Sequence, residues 1–192
     1  MTKKLLHNFK AYGVELHIVD VTNLITLRHW RNQPEIRNKM ENDSYIRPHQ
    51  HRMWYQNHVM KSNNGYWIVK YKNTPVGYIQ IKIDKITNTV EPGSFLIDSP
   101  VRHALLAISL LLIQLDISFY VVKAKKSIVK IRNNNVRAIN ISHCVYNTAI
   151  ILRIALHKNI EVYQINATYA YRLKSNNMFA YNDFHYFPKI FS

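Results

Sequence analysis

The stretch from Lys126 to Ile139, KSIVKIRNNNVRAI, constrains the fold more than any other part of the chain. Its β-branched residues Ile128, Val129 and Ile131 predict a strand. Three asparagines, Asn133 to Asn135, then stop it, because asparagine disfavours strand interiors and tolerates turn backbone. Val136-Arg137-Ala138-Ile139 opens a helix. A strand that turns straight into a helix leaves backbone groups free at its end, and ligands bind at such corners.

The rest of the pattern supplies the layers around that corner. Val14 to Val19 predicts a first strand, and Val21 to Met40 a helical region broken at Pro34. Pro48 to Met60 predicts another helix, with Pro48 in its first turn. Tyr66 to Tyr71 and Val76 to Ile83 read as a hairpin across Lys72-Asn73-Thr74-Pro75, and a strand over Val90 to Ile97 follows the turn Thr87-Asn88-Thr89. A long apolar helix covers Arg102 to Tyr120. After the corner, Ile160 to Ile165 and Ala167 to Leu173 predict a closing antiparallel pair. The aromatic tail, Asn177 to Ser192, is expected to pack down in a form the pattern leaves open. Hairpins followed by strand–helix–strand crossovers predict an α/β (α+β) fold, a mixed, mostly antiparallel central sheet with helices on both faces. At 192 residues, one domain over 1–192 is expected.

The net charge of +15 predicts an anionic partner: nucleic acid, a lipid headgroup or a phosphorylated small molecule. The basic residues are scattered through the chain, which weakens the nucleic-acid version. A single cysteine, Cys144, rules out an internal disulfide framework and fits a reducing, cytoplasmic setting. His7, Asn8 and Lys10 interrupt any signal-peptide core. Gln114 and Asp116 sit inside the apolar run from Ala104 to Val122, so that run reads as a buried helix and not a membrane span. Ten histidines include no i, i+4 pair beside a carboxylate, so no metal site is expected. No serine sits in a glycine elbow of the hydrolase type.

Three motifs together resemble the GNAT superfamily of acyl-CoA N-acyltransferases. They are Trp30-Arg31-Asn32-Gln33-Pro34-Glu35 with His51 in the next helix; Glu91-Pro92-Gly93-Ser94-Phe95-Leu96-Ile97-Asp98; and Asn135-Val136-Arg137-Ala138-Ile139. The likeness runs from about Leu16 to Leu173 and is nearest to the branch holding the amino-sugar-nucleotide N-acetyltransferases of pseudaminic-acid synthesis and related ribosomal-protein acetyltransferases. It implies acetyl-CoA as acyl donor, no metal, and an amino sugar on a nucleotide as acceptor, in bacterial surface-glycan synthesis. A homodimer is compatible with it. For the donor it points to the turn Arg102-His103-Ala104-Leu105-Leu106-Ala107, the backbone of Leu96 and Ile97, and Asn135. Arg31, His51, Tyr78 and Lys82 match the acceptor side. Glu91 is implied as proton acceptor through a water and Ser142 stands where the thiolate's acid is expected.

Departures accompany the matches. Leu105 replaces the glycine usual in the phosphate-binding turn, so its side chain must point away from the ligand. Ser142 replaces a tyrosine and is a poorer acid. Plain structural roles also remain open: Arg31 pairing with Glu35 one turn on, and Asn135 capping the helix at Val136. A catalytically silent binding domain of the same fold, or an acetyltransferase acting on a protein N-terminus, are the alternative functions.

Overall fold

The computed structural model describes residues 5, 7–97, 104–142, 163–174 and 177–188. Eight strands form one sheet in the order β1-β2-β3-β4-β5-β6-β8-β7. The strands are β1 (Phe9–Ala11), β2 (Val14–Ile18), β3 (Gly65–Tyr71), β4 (Thr74–Asp84), β5 (Thr89–Leu96), β6 (Lys126–Arg132), β7 (Tyr163–Lys174) and β8 (Asn177–Pro188). The helices are α1 (Leu24–Asn32), α2 (Pro34–Arg37), α3 (Pro48–Trp54), which runs on as a π-helix over Tyr55–Met60, and α4 (Ala104–Asp116), followed by a π-helix over Ile117–Val121. A further helix, α5, occupies 136–142. Every pairing is antiparallel except β5–β6.

Period-two alternation sorts the core onto two faces. Along β3, Trp67 and Val69 join Ile79, Ile81 and the α4 residues Leu106, Leu110 and Ile113, with Ile117 from the π-helix that follows. Their neighbours Tyr66 and Ile68 join Tyr78 and the residues Leu27, Trp30 and Ile36 of α1 and α2. Helices therefore cover both faces. A second apolar stripe on α4, Leu112, Leu115 and Phe119, packs on Val129 and Ile131 of β6, with Ala138, Ile139 and Ile141 of α5 against it. Because α4 is wrapped on two sides, it is apolar nearly all round. Its polar interruptions both have partners: Gln114 Nε2 donates to the Gly93 carbonyl at 3.0 Å, and Asp116 accepts from the Tyr12 hydroxyl. Among the described residues no helix is long and apolar enough to cross a membrane.

The sequence pattern and the structure differ at both ends of the chain. A short strand, β1, precedes the predicted first strand, joined to it by a turn in which Tyr12 and Gly13 have φ of 52° and 77°. Residues 163–174 form one strand rather than two halves of a hairpin, and its antiparallel partner is the aromatic tail, with Tyr163 opposite Pro188 and Lys174 opposite Asn177. Alternation in this region suits a long strand as well as two short ones, and only pairing distinguishes them.

The parallel contact between β5 and β6 positions the site. It lasts two residues, Thr89 opposite Lys126 and Val90 opposite Ser127, and then the strands part. β6 continues along β8 while β5 continues along β4. Pro92 explains where the ladder stops. Ile97 N–H donates to the Val76 carbonyl at 3.0 Å, so the alternation of the β4–β5 ladder turns the backbone of residues 90, 92, 94 and 96 away from β4. Pro92 holds the position that would donate next to β6, and proline has no N–H.

Candidate functional site

Beyond the fork lies a cavity of about 1420 Å³, walled by β5 on one side and by β6 and α5 on the other. The N–H groups of Ser94 and Leu96 and the carbonyls of Pro92 and Ser94 face this gap by register. Ile97 differs from its neighbours: its N–H is occupied by Val76. Gln114 reaches up from α4 to the Gly93 carbonyl and, at 3.4 Å, to the Gln80 carbonyl, fixing the floor.

Across the gap, Asn135 stands at the corner and lines the cavity. Its backbone N–H closes a turn on the Arg132 carbonyl at 2.9 Å, and its side-chain oxygen accepts from Ala138 N–H at 3.4 Å. The residue therefore caps α5 while lining the gap. Ser142, the last described residue of α5, is buried and also lines it.

Glu91 is the first residue of β5 past the fork. Its Oε1 is 2.9 Å from Lys82 Nζ on β4 and its Oε2 is 2.5 Å from Lys130 Nζ on β6. The carboxylate thus straps the diverging strands together. Burial alone pushes its pKa up, but Lys130 and Lys82 outweigh burial and hold it below the usual carboxylate range. That keeps Glu91 ionised and makes it a weaker base.

The four positions that the resemblance assigns to the acceptor lie together. Arg31, His51, Tyr78 and Lys82 all line the same cavity. His51 is buried and stacks on Trp54, with ring centroids 4.9 Å apart and planes 4° from parallel. Burial pushes its pKa down, against the nearby Leu24 carbonyl, and Arg28 adds to the fall, so the ring is neutral at pH 7. Tyr78 is buried and stacks on Phe95 at 5.3 Å, and its hydroxyl donates to Gln80 Oε1 at 3.1 Å. Burial, and then Tyr66, hold that hydroxyl well above the ordinary range although Arg31 opposes them, so it stays protonated.

Residues of the WRN motif hold the loop 38–47 over the cavity. Arg31 Nη2 donates to the Asn42 carbonyl, and among the described residues no ion pair joins it to Glu35. Asn32 grips Ile46 twice, donating to its carbonyl at 2.9 Å and accepting from its N–H at 2.8 Å. From the opposite wall, Arg132 Nη1 donates to the Asn38 carbonyl at 2.9 Å and Nη2 to Asp43 Oδ2 at 3.1 Å. Sequence reasoning assigned no part to Asn32, Lys130 or Arg132. Asn32 had a signal, its place in the motif. Arg132 had none, because its partners lie 89 and 94 residues away.

Of the proposed phosphate turn, Arg102 and His103 lie outside the described residues, and Ala104 begins α4. Leu105 is 64% exposed, so its side chain points to solvent and not into the core. Leu106 is in the core and Ala107 lines the cavity. Among the described residues no group of three His, Cys, Asp or Glu side chains is placed to hold a metal ion.

No family model matches the sequence, and no curated protein matches it. Solved structures do. The chain superposes on spermidine N-acetyltransferase from Vibrio cholerae, in complex with CoA and spermine, with a TM-score of 0.67 at 12% identity, over 92% of this chain and 96% of that one. It superposes on the aminoglycoside acetyltransferase AAC(6')-Ib in complex with coenzyme A with a TM-score of 0.66 at 13% identity, over 88% and 93%. It matches RimL, a ribosomal L7/L12 α-N-protein acetyltransferase in complex with CoA, with a TM-score of 0.64 at 12% identity, over 93% and 96%. The fold is the GNAT fold. The β5–β6 fork is part of that architecture, and likeness at this identity shows the fold and not the chemistry.

Proposed function

We propose that the chain is an acetyl-CoA-dependent N-acetyltransferase that acts by direct transfer on the amine of a sugar linked to a nucleotide, in bacterial surface-glycan synthesis. The observation that carries this reading is the fork at Val90 and Ser127, which leaves a strand edge bare inside a large cavity. An extended, amide-bearing acyl arm can add to that edge as a further strand, with Ser94 and Leu96 as donors and Asn135 opposite. A neutral amine then attacks the thioester carbonyl. A C–N bond forms, the C–S bond breaks, and backbone N–H groups on the edge stabilise the oxyanion in between. The amine's proton leaves through a water held by Glu91, and Ser142, which lines the cavity, protonates the sulfur.

Charge supports the acceptor class. The spermidine and aminoglycoside enzymes act on amine-rich molecules by their names. Here the cavity is lined by Arg31, Lys39, Lys82, Lys130 and Arg137 against Glu35, Glu41 and Glu91, and Glu91 is already matched to two lysines. A positive lining disfavours a polycation and favours an acceptor that carries an anion. Calorimetry with acetyl-CoA, followed by thiol release with amino-sugar nucleotides, spermidine and an aminoglycoside as rival acceptors, tests the reading. It fails if acetyl-CoA does not bind, or if the polycations are the better acceptors.

A second reading, a silent binding domain, is supported by Glu91 having both oxygens bound and by Ser142 in place of a stronger acid. Tight acetyl-CoA binding with no CoA release from any amine would select it.

A further inference from the structure

Four buried side-chain polar atoms lack an acceptor or donor among the described residues, and three of them are arginine nitrogens: Arg31 Nη1, Arg37 Nε and Arg132 Nε. A buried guanidinium N–H without an acceptor is costly, so three together call for an account. These arginines come from different elements, α1, α2 and β6, and converge on one stretch of loop. Arg31 holds the Asn42 carbonyl, and Arg132 holds the Asn38 carbonyl, next to Arg37, and Asp43. Arg31 lies within electrostatic reach of both Arg37 and Asp43.

The charges do not balance. Among the described residues, one carboxylate forms an ion pair with any of the three guanidinium groups: Asp43, whose side chain is 54% exposed, with Arg132, whose side chain is 11% exposed. Glu35 and Glu41 lie nearby in sequence, but among the described residues neither forms an ion pair with these arginines. Burial is the largest cause lowering the pKa of Arg31; Tyr78 opposes it, Arg37 adds to the fall, and Asp43 opposes it in turn. Donors without acceptors and cations without counter-charge are both answered by an oxyanion, which offers several acceptor atoms to planar guanidinium forks.

We propose that Arg31, Arg37 and Arg132 form a binding site for a phosphate-type oxyanion at the loop end of the cleft. Of the three, Arg31 lines the cavity, so its guanidinium meets the anion there, and Arg37 and Arg132, which do not line it, supply further positive charge behind it. The site extends the proposed acceptor pocket beyond Arg31 alone, and it rests on the acetyltransferase reading only for which molecule carries the phosphate. That molecule is the acceptor, and not the acetyl-CoA donor.

The test is calorimetric titration of the full chain with inorganic pyrophosphate, with and without saturating acetyl-CoA, in the wild type, Arg37→Gln and Arg31→Gln. Arg37→Gln is the decisive variant, because among the described residues the Arg37 side chain makes no hydrogen bond that the substitution would remove. The expected result is pyrophosphate binding that survives saturation with acetyl-CoA, weakens about tenfold in each variant and weakens further with salt, while acetyl-CoA affinity is unchanged. Pyrophosphate binding that vanishes under acetyl-CoA assigns the phosphate to the donor's site and overturns the proposal. Binding unchanged in Arg37→Gln, in a variant that melts like the wild type, overturns it too. Arginine-dependent pyrophosphate binding in a chain that ignores acetyl-CoA leaves this site standing and removes the acetyltransferase reading instead.

Discussion

The two walls of the cleft are built on different principles. The β5 wall is backbone: eight paired positions on β4, with Gln114 bracing it from below. The wall made by β6 and the loop 38–47 is joined to its surroundings across the gap by side chains: Glu91 with Lys82 and Lys130 at the fork, and Arg132 with Asn38 and Asp43 at the loop. A ladder tolerates most side chains so long as they fit the pleat, whereas straps depend on particular residues and on ionisation. One wall is therefore a fixed rail and the other is adjustable.

The largest test of this difference strikes the rail. A Cβ on Gly77 would stand 2.3 Å from the Phe95 carbonyl oxygen and 3.1 Å from Leu96 Cα, both backbone atoms. Gly77→Ala must therefore push β4 and β5 apart, with an expected loss of about 3 kcal/mol by urea unfolding. A loss near zero would show that the rail yields as readily as the straps. Next is Asn32→Ala, which leaves both backbone groups of Ile46 without their partner. About 2 kcal/mol should be lost, with a greater gain in protease sensitivity at 38–47 than elsewhere.

Glu91→Gln is expected to cost about 1 kcal/mol at pH 7. Its pH dependence has a definite sign. The folded pKa is below the unfolded one, so the carboxylate's contribution is complete above the unfolded value. It fades as pH falls through the depressed folded value, and wild type and variant should converge there in acid. Convergence on raising the pH instead would mean that the lysines do not hold this carboxylate. The smallest effect is expected for Asn135→Ala, about 0.5 kcal/mol, because its capping contact is long at 3.4 Å. A much larger drop in acetyl-CoA affinity than in stability would separate its two roles.

What the sequence conveyed well was local. The Asn133–Asn135 corner, the Lys72-Asn73 hairpin turn (φ 47° and 63°) and the Pro34 break all follow from backbone preferences within a few residues. The rail was legible for the same reason, as an apolar run ending in a strand. The straps were not. Lys130 and Glu91 stand on strands that meet only through a crossover, and nothing near Arg132 in the sequence hints at Asp43. The closing pair was misread, and the form of the tail was not legible, because β8 finds its partners in β6 and β7, and pairing is a property of the sheet and not of the segment.

A parallel ladder closes like a zip, and Pro92 is the tooth that was never cut. Had residue 92 carried an N–H, the next link to β6 would have been available, and each later link would have drawn the strands closer over the space a ligand needs. The opening is thus written into the covalent chain at one position, before any side chain has packed. The protein reaches its folded state with the doorway already held ajar.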